Sequence, residues 1–143
     1  MTHPRTLTFS LPAPYPLLNK TLRMHFGAPI KMKKAMRGQI IASLGGPQAL
    51  PKEPFQQAHI RIERWSVGTP DYDNLSGGGA KQLIDCLTTP RLLARGHVRN
   101  KYGLGIIVDD SPAHITTEYS AIECRLCEQK TVVTITEIMG EPT

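Results

Sequence analysis

Polar and apolar residues alternate along Thr6-Leu7-Thr8-Phe9-Ser10-Leu11, which predicts a β-strand with Leu7, Phe9 and Leu11 on one face. Pro12, Pro14 and Pro16 then forbid regular structure and hold the chain extended. From Pro29 to Leu44 the spacing changes: Met32, Met36, Ile40 and Leu44 recur at helical intervals with Ile41 beside them. Gly45-Gly46 and Pro47 supply the stop signal for this first main helix. After a linker bracketed by Pro51 and Pro54, Ala58, Ile60 and Ile62 alternate with His59, Arg61 and Glu63, so a second strand is predicted as far as about Trp65. Ala80 to Leu87 reads as a short second helix with Leu83, Ile84 and Leu87 inward.

The apolar run Leu104-Gly105-Ile106-Ile107-Val108 predicts a third strand, buried on both faces. His114 to Leu126 and Thr131 to Ile138 predict two more, joined as a hairpin through Glu128-Gln129-Lys130. The stretch from Thr88 to Tyr102 is polar and basic and carries no clear period. The expected fold is α+β: residues 1–143 form a single domain with a mixed sheet of about five strands and two main helices.

Charge changes this picture more than composition does. Lys and Arg total 17 against 12 Asp and Glu, a net charge of +5. Four of those acids fall at Asp71, Asp73, Asp109 and Asp110; setting them aside raises the remainder to +9. A basic body around an acidic point suits a metal-dependent enzyme acting on a polyanion such as DNA. Residues i and i+2 of an extended chain share a face, so Asp71 and Asp73 are expected to aim at one point and Tyr72 away from it. Carboxylates so placed repel one another unless a cation lies between them, and Mg²⁺ takes one or two carboxylates together with phosphate and water. If the second and third strands are neighbours, Asp71, Asp73 and Asp109-Asp110 converge at one end of the sheet. Lys81, opening the short helix, would then stabilise charge growing on a phosphodiester, with the amides of Gly77 to Gly79 adding positive potential.

Each part also has a structural reading. Asp73-Asn74 fits a turn and helix cap, Lys81 and Asp85 have the spacing of a surface ion pair, and Asp109-Asp110 before Ser111-Pro112 fits an ordinary turn. Lys31, Lys33, Lys34 and Arg37 on the first helix are either a phosphate-contacting or a solvated face.

Other chemistries lack their residue sets. Cys124-Arg125-Leu126-Cys127 is one Cys pair, placed in an expected strand, where a structural zinc site needs four ligands. Gly77-Gly78-Gly79-Ala80-Lys81 lacks the glycine spacing of a phosphate-binding P-loop, and Gln82 stands where that loop needs Ser or Thr. The histidines form no motif, and Trp65 reads as a packing residue. Met1 to Arg5 has no signal-peptide core, no run approaches the roughly 18 apolar residues of a membrane span, and Cys86, Cys124 and Cys127 are expected to be reduced thiols of a cytoplasmic protein.

Asp71-Tyr72-Asp73-Asn74-Leu75, the glycines after it, Lys81, Asp85 and Leu87 resemble the core signature of the RusA family of Holliday-junction resolvases, found largely in phages and prophages. Ile107-Val108-Asp109-Asp110 is similar to that family's apolar strand ending in Asp-Asp. The first strand, the Pro-rich turn and Asn19 match its opening, and Thr131 to Glu137 its closing strand. The resemblance implies metal-binding and catalytic carboxylates at Asp71, Asp73 and Asp110, with Asp109 the alternative third ligand, and a catalytic lysine at Lys81. It further implies Mg²⁺ or Mn²⁺ as cofactor, a homodimer, a four-way DNA junction as substrate, and a bacterial host cell as the setting. Two departures stand out: the Gly-rich spacer before Lys81 is longer than in the simplest members, and the basic 88–102 segment is long. A junction-binding protein that does not cut, and a nuclease for flaps or forks, are the alternatives.

Overall fold

In the computed structural model, residues 3–25 and 27–139 are described. Strand β1 (Thr6–Leu11) leads through the Pro-rich segment to a short helix, α1 (Leu18–Thr21), and then to the long helix α2 (Ala28–Leu44). α2 starts with Pro29 in its first turn and ends at Gly45, whose φ of 92° is the left-handed cap that closes the helix. Strand β2 (Ala58–Ser66) follows, then helices α3 (Tyr72–Ser76) and α4 (Gly79–Leu87). The basic segment forms a small two-stranded ribbon, β3 (Arg91–Leu92) against β4 (Val98–Arg99). Strands β5 (Ile115–Glu123) and β6 (Lys130–Glu137) complete the chain.

The main sheet has four strands in the order β1-β6-β2-β5. β6 runs antiparallel to both neighbours, and β5 is an edge strand parallel to β2. One face carries Phe9, Leu11, Ile60, Ile62, Val133 and Ile135, all buried against Met36 and Ile40 of α2 and Leu83 and Leu87 of α4. Each such side chain contributes about 1.5–3 kcal/mol by leaving water. The opposite face of the sheet bears Thr8, Arg61, Thr134 and Glu118. No helix among the described residues is long and apolar enough to cross a membrane.

The fold is α+β with a mixed sheet, as expected, but two connections differ. Leu104–Val108 is not a strand of the sheet. Ile106 and Ile107 are fully buried, yet their amides both donate to the Leu87 carbonyl at 2.9 Å, while Leu104 N–H donates to Cys86 O at 2.8 Å. The run therefore satisfies the unpaired carbonyls at the end of α4, with a single bridge from Ile107 to Phe55. Nor are β5 and β6 a hairpin, because β2 lies between them. Their connection crosses the end of β2, where Cys124 N–H donates to Ser66 O at 3.0 Å. Cys124 and Cys127 thus lie beyond the strand end at Glu123, and both are free thiols.

Candidate functional site

Asp71 is extended but Tyr72–Asn74 is already helical, so the shared-face argument for Asp71 and Asp73 does not hold there. Asp71 is the N-cap of α3: its Oδ1 accepts from the Asn74 amide at 2.9 Å, leaving its second oxygen outside the cap. Asp73 lies in the first turn, where a negative charge is favoured by the helix dipole. Both acids are exposed.

Three contacts missed by the periodicity fix this short helix in place. Tyr15 Oη donates to the Leu75 carbonyl at 2.7 Å, and the Arg64 guanidinium donates to the Tyr15 carbonyl at 2.7 Å. Asn74 Oδ1 accepts from the Asn19 amide at 2.9 Å, tying α3 to α1. Tyr72 stands edge-on to Tyr119 of β5, with ring centroids 6.2 Å apart. Burial raises the Tyr15 phenol above its ordinary value, so it stays a neutral donor. The sequence signal for this clamp was a Tyr inside a proline-rich stretch beside an Arg on the apolar face of β2.

The glycines before Lys81 pack closely against the Pro-rich segment, and one of the three amides expected to face an anion, that of Gly79, is engaged there. Gly79 N–H donates to the Pro16 carbonyl at 2.8 Å. A Cβ on Gly79 would stand 2.7 Å from Pro16 Cδ and 2.9 Å from its backbone N and O. At Gly78, where φ is +59°, a Cβ would meet the Leu17 and Leu18 backbone at 2.6 Å. The Pro-rich segment thus covers the start of α4, and the Gly79 amide is spent on it.

Lys81 emerges exposed from the first turn of α4, and no described carboxylate pairs with it. Asp85, its expected partner, instead binds Lys33 of α2 at 3.1 Å. Lys81 and Asp110 line one open groove of about 490 Å³ together with Ile84, Ile115, Thr117 and Tyr119. The groove runs along the helix-side face of β5.

Asp109 and Asp110 separate as adjacent residues should. Asp110 lines the Lys81 groove, whereas Asp109 lines a smaller cavity with Arg91, Arg99 and His114. Desolvation, a hydrogen bond shared with Asp109, and the charges of Asp109 and Asp85 push the Asp110 carboxyl above its usual range. A hydrogen bond from the Asp110 amide and the nearby Arg99 and Arg91 charges hold Asp109 below its own.

Asp110 is the acid that lines the groove; α3, which bears Asp71 and Asp73, reaches the groove residue Tyr119 through Tyr72. Among the described residues no group of three or more His, Cys, Asp or Glu is gathered to hold a metal ion. The oxygen donors suit a hard cation chemically, and the arrangement fits one held by one or two carboxylates with water and substrate phosphate, not a closed protein cage. In comparison with protein-family models, curated proteins and solved structures, the chain matches none.

Proposed function

We propose that this protein is a divalent-metal-dependent endodeoxyribonuclease of the RusA kind that cuts branched DNA, with the four-way junction as substrate. The observation that carries the reading is the groove in which Lys81 and Asp110 face the same space, beside the helix that bears Asp71 and Asp73. A net charge of +5 on the whole chain draws a polyanion toward that local acidity. Asp110 would hold Mg²⁺ or Mn²⁺ at the groove, with Asp71 and Asp73 completing the acidic field from α3. When bound, the ion supplies Lewis acidity and lowers the pKa of water. Lys81 binds the scissile phosphate and stabilises the charge that grows on its oxygens; the Tyr15 clamp keeps α3 in register with the groove. A homodimer would place two such grooves on opposing strands of one junction.

The test is cleavage of a labelled synthetic junction beside a matched linear duplex, with Mg²⁺ and with EDTA. The expected result is paired symmetric nicks in the junction alone, dependent on Mg²⁺. Asp110→Asn and Asp73→Asn should abolish cutting while keeping or improving junction binding, and Lys81→Ala should lower the rate about 100-fold or more. Normal cutting by Asp110→Asn would remove the site assignment. Tight junction binding with no cutting under either metal would favour the non-cleaving module.

A further inference from the structure

A second cavity, also about 490 Å³, lies between α2 and the ribbon and is lined by Lys33, Asp85, His97, Asn100, Lys101 and Tyr102. Lys33 is neutralised there by Asp85 at 3.1 Å. Lys34 and Lys101 are not neutralised: both are exposed, and neither has an ion-pair partner among the described residues. They come from segments far apart in the chain, yet their ammonium groups stand 5.5 and 5.1 Å from the centroid of the same Tyr102 ring. Two like charges gathered at one rim repel unless an anion joins them. The two basic stretches of the sequence, one on the long helix and one in the 88–102 segment, therefore meet at a single place.

From this convergence we propose that the rim formed by Lys34, Lys101 and Tyr102 is a second DNA contact, which takes backbone phosphates of an arm leading away from the Lys81 groove. The proposal rests on the nuclease reading above. Lys81 borders the first cavity and Asp85 the second, one turn apart on α4, so both cavities adjoin this helix. Lysines serve as point charges for phosphate, and the phenol adds a donor beside them.

The test is binding of a labelled four-way junction and of linear duplex in EDTA, followed by fluorescence anisotropy across a salt series. The Lys34→Ala/Lys101→Ala double variant is compared with Lys52→Ala/Arg61→Ala, which loses the same charge away from both cavities. The first should lose about tenfold in affinity, with a salt slope shallower by about 1–2. The second should stay within about twofold of the parent. Equal weakening in both pairs would reduce the effect to net charge and overturn the proposal, as would unchanged binding by Lys34→Ala/Lys101→Ala. A parent protein that cuts junctions while that variant binds normally sinks this inference alone. A parent that binds without cutting, and loses affinity only in that variant, sinks the nuclease reading alone.

Discussion

Gly79→Ala and Gly38→Ala are the same chemical change in two helices, and the structure assigns them opposite signs. Gly38 sits within α2, exposed, and a Cβ there would have no heavy atom within 4 Å. Alanine at that site gains only helix propensity and a stiffer unfolded chain, about 0.5–1 kcal/mol. Gly79 opens α4, fully covered by the Pro16 segment. A Cβ there meets Pro16 backbone at 2.9 Å, which is not the movable end of a side chain. Either the 2.8 Å bond from Gly79 N–H to Pro16 O lengthens or the Pro-rich strand shifts. Overpacking of this kind costs about 1–3 kcal/mol, to which a weakened buried hydrogen bond adds about 1. The net for Gly79→Ala is a loss of about 2 kcal/mol after the propensity gain is subtracted. At about 2.1 cal/mol/K per residue, unfolding of this 143-residue chain has an entropy near about 300 cal/mol/K, so each kcal/mol moves Tm by about 3 °C. Thermal unfolding followed by circular dichroism should show Gly38→Ala up by about 2–3 °C and Gly79→Ala down by about 6 °C. A rise for Gly79→Ala would refute the claim that close approach to Pro16 is what selects glycine there.

Two further outcomes follow from single groups. Glu137 accepts hydrogen bonds from the Arg5 guanidinium, at 2.8 Å from Nη2, and this holds its carboxyl below the ordinary value. A depressed carboxylate contributes stability above its unfolded pKa and loses it as pH falls through the folded one. The Tm difference between the parent and Glu137→Gln should therefore shrink from about pH 6 to about pH 3; a difference independent of pH would remove the pair as its cause. Cys86 is fully buried, and burial pushes its thiol up to about 12, so of the three cysteines it alone should resist a thiol reagent until the protein unfolds. Modification of Cys86 as fast as the exposed Cys127 would contradict its place in the core.

Elements written by local chemistry were legible in the chain. β1, α2, β2 and α4 carry their own period and their own Gly and Pro punctuation, and they form within a residue or two of the expected bounds. Pairing was not legible, because alternation in β5 and β6 tells which face a side chain takes but not which strand lies alongside. The run at Leu104–Val108 misled for a related reason: deep burial under the end of α4 selects the same residues as a central strand. Asp71 is ambiguous by nature, since the carboxylate that could bind a cation is also a favoured helix cap. Lys33 with Asp85 and Tyr15 with Leu75 are contacts between distant segments, outside the reach of any local window.

That unread topology decides the form of the candidate site. Because β5 runs parallel to β2, the chain must leave β2 at one end of the sheet and enter β5 at the other. Asp71 and Asp73 follow the exit of β2, and Asp110 precedes the entrance to β5. Had Leu104–Val108 been a strand beside β2, the condition for the expected convergence, the acids would share one end; with this crossover they start at opposite ends. The crossover then folds back: α3 returns to mid-strand at Tyr119 and α4 brings Lys81 to the same groove as Asp110. The groove stays open because β5 is an edge strand with Thr117 and Tyr119 on its inner face in place of the isoleucines of β2. An open groove lined by Asp110 and by Lys81, which has no ion-pair partner among the described residues, suits a ligand that carries its own anionic oxygens, as the proposed phosphodiester substrate does.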